Sequence, residues 1–416
     1  MILQCVLNLE KKASFLNLKI FTIPKKKNIM KAKSLRTLIN IQSNSRIFFL
    51  GATVIVIFLF SPFGGTKGYS QDIHFSQFYQ APLQVNPSLT GVFNGDVRAC
   101  VNYKDQWGSI NKNAGSYITT SSNSTATFRT YGFAFDAGLF KKKWQNSYLG
   151  AGLFVYSDKA GDAKMGTTKA DISLSSILLV AEGHMVTMGI QGGYGQRNVD
   201  VNNPNLRWES QYQNETYNKN LASGETVAYE PFGFADFSLG ASWNYGSDES
   251  AIFKNNKFRA NAGVAYHHLN RPKQQFNMAE KLNAKMVAHG GLYLGMSNSN
   301  MALLPSVIYF QQGNLRETNF GALIRYTLVE SSKYTGIMKE SALYLGGYYR
   351  LGDAFIPSMM IDFSNFNLGL TYDINVSKLK TATNAKGGLE ISLRFISPNP
   401  FNYKYGKARS KSVRFL

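Results

Sequence analysis

The chain has 416 residues, 44% hydrophobic and 17% charged, with 37 Gly, 29 Phe and 23 Tyr; its mean hydropathy of −0.19 argues against a polytopic helical membrane protein. The formal charge of +20 is a poor guide to partners, because residues 1–70 carry half of it, with 11 Lys/Arg against the single acid Glu10. Without an interleaved basic–aromatic motif in the remainder, nucleic acid is excluded as a partner.

Residues 1–70 read as a leader. Lys31, Lys33, Arg36 and Arg46 precede an uncharged apolar run, Ile47 to Phe63, and Gly68-Tyr69-Ser70 offers small residues to a signal peptidase. That order is a secretory signal peptide with a mature start near Gln71, Met30 being a plausible true start. The competing reading is an uncleaved anchor, since the run is nearly long enough to span a bilayer. A lipoprotein would need a cysteine at the cleavage site, and none is there. Once the leader with Cys5 is removed, only Cys100 remains, so no intramolecular disulfide forms.

Residues 71–96 show no helical period and are broken by Pro82, Pro87, Gly91 and Gly95. They are expected to be a periplasmic or plug-like segment. A first strand follows, from Val97 towards Trp107.

Beyond residue 96 the recurring period is two. Tyr131, Phe133, Phe135, Ala137 and Leu139 alternate with Gly132, Ala134, Asp136 and Gly138, and similar runs cover Val186–Tyr194 and Asp236–Tyr245. Further segments are Val97–Gln106, Leu149–Tyr156, Ile172–Val180, Phe258–His267, Val287–Met296, Leu303–Phe310, Phe320–Leu328, Ala342–Arg350, Ser358–Phe363, Phe366–Tyr372 and Leu389–Phe395, which makes 14 candidates. Most approach the roughly 9–11 residues of a tilted membrane strand. In the first three runs one face is apolar with aromatic ends, as at lipid headgroups, and the other is polar or glycine; the further segments fit this template less cleanly. Asp158–Asp162, Tyr245–Asp248 and Ser297–Asn300 supply turns short enough for antiparallel neighbours, and Asn198 to Pro231 reads as a strand-free extracellular or capping loop. The expected fold is all-β: an antiparallel transmembrane barrel of the outer membrane with about 14 strands over residues 97–396. Closure leaves no backbone edge unsatisfied in lipid, which a sandwich or propeller would not achieve. Residues 397–416 are a tail with five basic and no acidic residues.

Catalytic chemistry is sparse. His74, His184, His267, His268 and His289 lack metal-ligand spacing, and His267-His268 should alternate across a strand rather than converge. Gly189–Gly195 has phosphate-loop glycines but no following helix, and no nucleophile elbow is present. No metal, cofactor or enzymatic role is expected. Asp236 and Glu390 lie on strand faces turned away from lipid, where a charge is costly; Arg259, Arg325, Arg350 and Arg394 are the expected partners inside the barrel.

The stretch QDIHFSQFYQAPLQVNPSLTGVFNGDVRACVNYKDQW, residues 71–107, resembles the start of mature PorP/SprF proteins, outer-membrane components of the type IX secretion and gliding systems of Bacteroidota. The likeness recurs in order: DKAGD (Asp158–Asp162), FGFADFSLGASW (Phe232–Trp243), YHHLNRP (Tyr266–Pro272) with Phe276, AHGG (Ala288–Gly291), YYRLGDAFI (Tyr348–Ile356), YDINVSKL (Tyr372–Leu379) and GGLEISLRF (Gly387–Phe395). It spans Asp72 to Phe395. The resemblance implies export or surface attachment of adhesins and enzymes bearing a C-terminal sorting domain. The implied partners are other secretion components, such client proteins, a peptidoglycan-binding periplasmic lipoprotein and outer-membrane lipid. Phe75, Gln77, Phe78, Pro82, Asn86, Pro87, His267, Asn270, Arg271 and Pro272 are its motif candidates for partner contact or a plug. The alternatives are a porin or hydrophobic-compound transporter on the same fold, and a barrel enzyme using serine with His268 or His289.

Overall fold

The computed structural model describes residues 72–106, 128–141, 144, 146–161, 163–200, 208–213, 216–224, 230–246, 258–274, 280–297, 299–329 and 341–397. All belong to the compact unit Thr66–Leu416. The leader, Gln71, Trp107, Asp162, Ser247, Asp248, Phe276, Asn298 and the tail beyond Ser397 lie outside the described residues.

Fourteen strands close into one antiparallel barrel. They are β1 (Val97–Gln106), β2 (Phe128–Leu139), β3 (Ser147–Ala160), β4 (Met165–Ala181), β5 (His184–Asn198), β6 (Phe232–Gly246), β7 (Phe258–His267), β8 (Lys285–Gly295), β9 (Met301–Gln312), β10 (Leu315–Val329), β11 (Ser341–Arg350), β12 (Ala354–Phe363), β13 (Phe366–Asn375) and β14 (Lys386–Ile396). Each pairs with its sequence neighbours, and β14 closes on β1 in the register Val101↔Leu393 and Tyr103↔Ile391. Every expected strand is present, and several run longer than the period predicts. β4 has 17 residues where the alternation marks nine, because ladder hydrogen bonds continue past the lipid band, where no apolar face is demanded. The outward positions are apolar: Ile172, Leu174, Met188, Ile190, Phe237 and Leu239 are all exposed to the exterior.

Three expectations change. Asp158, Lys159 and Ala160 belong to β3, so only its last residues form the turn. The stretch 198–231 is not free of strands, since Tyr212–Gln213 pairs with Thr216–Tyr217 in a short ladder. Residues 72–96 do contain helix, as single turns at Phe78–Gln80, Pro82–Val85 and Pro87–Leu89. Two of these have proline at the first helical position, where its fixed φ suits the helix and its missing N–H is no loss. The Asn86 side chain caps the third by accepting from the Ser88 N–H.

β1 begins and β14 ends at one mouth of the barrel, here the near mouth. The strand ends joined through residues 107–127, 199–231 and 268–284 are all at the opposite, far mouth. Residues 72–96 run between the two inside the barrel. At the far mouth, the Asp72 N–H donates to Oε1 of Gln312, the last residue of β9 (3.0 Å). At the near mouth, the Asp96 carbonyl accepts from Gly138 N–H (3.1 Å).

Candidate functional site: the segment inside the barrel

The internal segment is buried along nearly its whole length: Phe75, Leu83, Val85, Val92 and Phe93 are at most 4% exposed, and Gln77, Gln80, Asn86, Ser88 and Thr90 are fully enclosed. Enclosed amides and hydroxyls need partners, and the wall provides them. Gln77 donates its N–H to Oε2 of Glu390 (3.0 Å) and its Nε2 to the Glu390 carbonyl (3.2 Å), and accepts from Ser392 Oγ (2.6 Å). Asn86 Nδ2 donates to the carbonyls of Ala241 (3.2 Å) and Val264 (3.1 Å) and faces His289 Nε2 (3.1 Å). Ser175 Oγ donates to the Thr90 carbonyl (2.6 Å).

Glycines of the wall make this approach possible. A Cβ at Gly189 would stand 2.4 Å from the Pro87 carbonyl, and one at Gly150 would stand 2.3 Å from the Thr90 carbonyl. The glycines of Gly189–Gly195 thus include one that seats the segment, consistent with strand alternation and not with a phosphate loop.

Charged side chains fix both ends. Near the near mouth, Arg98 and Asp136 are cross-strand partners on β1 and β2. Their ion pair (2.7 Å) also receives the Gly91 N–H, at 2.7 Å from Asp136 Oδ2, while Arg98 Nη2 donates to the Leu89 carbonyl (3.0 Å). On another wall, Lys104 pairs with Glu390 (3.1 Å), its direct cross-strand partner. Glu390 accepts in addition the N–H groups of Ser76 (2.7 Å) and Gln77. Arg350 reaches Asp373 (3.0 Å), Asp353 (3.0 Å) and Glu317 (3.3 Å).

At the far mouth, His268 stands between Asp236, at 2.9 Å from its Nδ1, and Asp72, which contacts its Nε2. Lys169 completes the cluster, 2.5 Å from Asp236 and 3.1 Å from Asp171. Gly193 lies between Asp171 and Asp236 in the ladder, and its missing side chain lets these groups meet across β5. Burial alone would lower the His268 pKa, but the Asp72 and Asp236 carboxylates outweigh it and push it up to about 9. Burial likewise acts to raise the Asp72 carboxyl, yet His268 and Lys285 hold it well below the usual carboxylate range. His74, two residues further along, is held neutral by burial and by Lys104, Arg350 and Lys285.

The sequence-based pairing of acids with arginines is corrected here. None of Arg259, Arg325, Arg350 or Arg394 answers Asp236 or Glu390; Lys169, His268 and Lys104 do. The partners are set by cross-strand register, which single strands do not reveal. His267 and His268 also converge: His267 ends β7, and His268 takes φ +58°, which brings both rings inside with centroids 6.4 Å apart. His267 meets Ser238 Oγ (3.0 Å) and the Val85 carbonyl (3.3 Å).

The ten motif candidates divide into two groups. Phe75, Gln77, Phe78, Pro82, Asn86 and Pro87 meet the wall inside the barrel together with His267, and Pro272 is buried behind the mouth. Asn270 and Arg271 are exposed at the far mouth, where Asn270 Nδ2 donates to the Ala235 carbonyl (2.7 Å) and Arg271 adopts φ +42°. The sequence reading missed the Asp72–His268–Asp236–Lys169 cluster. Its one available signal was acids and a lysine at inward positions of β4 and β6.

The family model for "Type IX secretion system membrane protein PorP/SprF" matches residues 67–395, most of the chain. The chain belongs to this family. As a PorP/SprF protein with a closed 14-stranded barrel, it is an outer-membrane component of type IX secretion. Among curated proteins, none matches in sequence. Similar solved structures include the translocator domain of autotransporter NalP from Neisseria meningitidis (10% identity, TM-score 0.34, 77% of this chain and 95% of that one). A Pseudomonas aeruginosa FadL homologue (11%, TM-score 0.39, 74% and 91%) and the P. putida toluene transporter TodX (9%, TM-score 0.35, 77% and 94%) are also similar. Overlap this loose carries no argument about what PorP/SprF proteins do.

Proposed function

We propose that this PorP/SprF protein supports export or surface attachment of proteins bearing a C-terminal sorting domain, and does so by binding. The observation that supports this reading is the internal segment. A chain that fills its own lumen from Asp72 to Asp96, with hydrogen bonds to the wall at both mouths, is built to hold and not to conduct. The porin and transporter alternatives need a continuous aqueous or apolar path there.

Short turns face the periplasm in such barrels and longer loops face outwards, so the far mouth is the outer one. Exposed Asn270 and Arg271, with the long far-mouth connections, are the surface proposed to meet the client. The near mouth, where β14 ends and the basic segment 397–416 follows, is proposed to face a peptidoglycan-binding lipoprotein or other periplasmic component. Cleavage after Ser70 would leave Gln71 as the amino terminus, one residue ahead of the Asp72 anchor. The test is deletion of the gene with its neighbours intact, followed by surface proteomics. The reading predicts loss of one or more sorting-domain proteins from the surface; all of them remaining there would overturn it.

A further inference from the structure

We propose that the outward rim of β10–β14 at the far mouth holds a phosphate-bearing glycolipid of the outer leaflet, its phosphates against Lys378, Lys380 and Lys386 and its acyl chains against the aromatic row beneath them. The ladder sets that row. Phe320 pairs with Tyr349, Tyr349 with Phe355, Phe355 with Ile374, and Ile374 with Lys386. Phe320 and Phe355 are each 46% exposed, whereas Ala354 and Ile356 on either side of Phe355 are buried, so the row lies on the lipid face. The Phe320 and Tyr349 rings meet edge to face, with centroids 5.9 Å apart. An outward aromatic row marks the depth where hydrocarbon gives way to headgroups. Lys386 therefore stands at headgroup level.

One step nearer the far mouth the surface is apolar again, and then basic. Leu351 and Val376 follow Tyr349 and Ile374 by two residues, the period of one strand face, and remain 64% and 45% exposed. Backbone bonds fix both: the Leu351 N–H donates to the Thr318 carbonyl (2.9 Å) and the Val376 N–H to the Asp353 carbonyl (2.8 Å). Lys378 and Lys380 come next and are exposed. Residues 374–389 hold three lysines and no acid. The acids close by in sequence are committed to Arg350, Asp353 at 3.0 Å and Asp373 at 3.0 Å. Among the described residues no carboxylate pairs with the three ammonium groups. Aromatic row, exposed apolar pair and uncompensated lysines thus follow the order of acyl chain, headgroup boundary and phosphate. An acidic protein segment would match the charge, but it leaves unexplained why Leu351 and Val376 prolong the lipid-facing file.

The test titrates the full-length protein in detergent with bisphosphorylated lipid A, and with the same lipid after phosphatase treatment, counting bound lipid by native mass spectrometry. The wild type should prefer the phosphorylated lipid and bind it more weakly as salt is added. A lysine near an anionic membrane surface is worth roughly fivefold in affinity, so K378Q/K380Q/K386Q should bind about 100-fold more weakly. Equal binding of the two lipids by the wild type, or undiminished binding by the variant, overturns the site. If the variant keeps lipid A but loses a sorting-domain protein from the cell surface, the patch docks protein and the proposal fails. Should the variant not fold, the wild-type comparison of the two lipids still decides. The leaflet rests on the far mouth being the outer one, which K380C in a C100S background reports separately. A membrane-impermeant maleimide should label it in intact cells; labelling only after lysis would refute the outer leaflet whatever the lipid titration gives.

Discussion

At the far mouth a single imidazolium joins the first described residue of the internal segment to the wall, since His268 touches both Asp72 and Asp236. Its pKa is raised from 6.5 to about 9, so its contribution is complete below about pH 6.5 and disappears as pH rises through about 9. The unfolding midpoint of the wild type, followed by circular dichroism, should therefore fall across that window, and that of H268Q should not. Asp72 acts in the opposite sense: its lowered pKa adds stability above the ordinary carboxylate range, lost on strong acidification. Towards the near mouth, R98M would leave Asp136 buried without its cation and the Leu89 carbonyl without its donor. A loss of about 3 kcal/mol or more follows, read as a lower denaturant midpoint. None of these pairs was legible in the sequence. A strand shows which of its charges face inwards, because lipid forbids the other face, but which charge meets which depends on register and on a glycine such as Gly193 opening a diagonal path.

The strands themselves were legible for the same reason. Lipid on one side and a crowded lumen on the other impose a period of two, clearest in strands such as β2, β4 and β6. Their ends were not legible, because hydrogen bonding outlasts the apolar face. The internal segment was the least readable element: its short turns follow the wall, with no solvent-facing side to impose a period. Its seat is nonetheless specific, and Gly189 tests it. G189L would place a branched side chain where the Pro87 carbonyl lies, displacing that part of the segment. Cys100, 1% exposed and packed against Leu83 of the segment, reports the outcome. The wild type should resist a water-soluble methanethiosulfonate reagent and G189L should react, with C100S as the control. Equal protection of Cys100 in both would mean that the glycine is not needed for seating.

For the molecule as a whole, a barrel that could hold an aqueous channel is filled by its own first 25 described residues, 72–96. Its longest connections join strand ends at the far mouth, and β1 begins and β14 ends at the near mouth. Such an object suits the docking of other proteins better than the passage of solutes. The most direct measurement is single-channel recording in planar bilayers, comparing the purified wild type with a variant lacking residues 72–94. The wild type is expected to be silent and the deletion to give discrete open steps. Wild-type steps of the same unit conductance as the deletion would contradict a closed barrel that acts by binding.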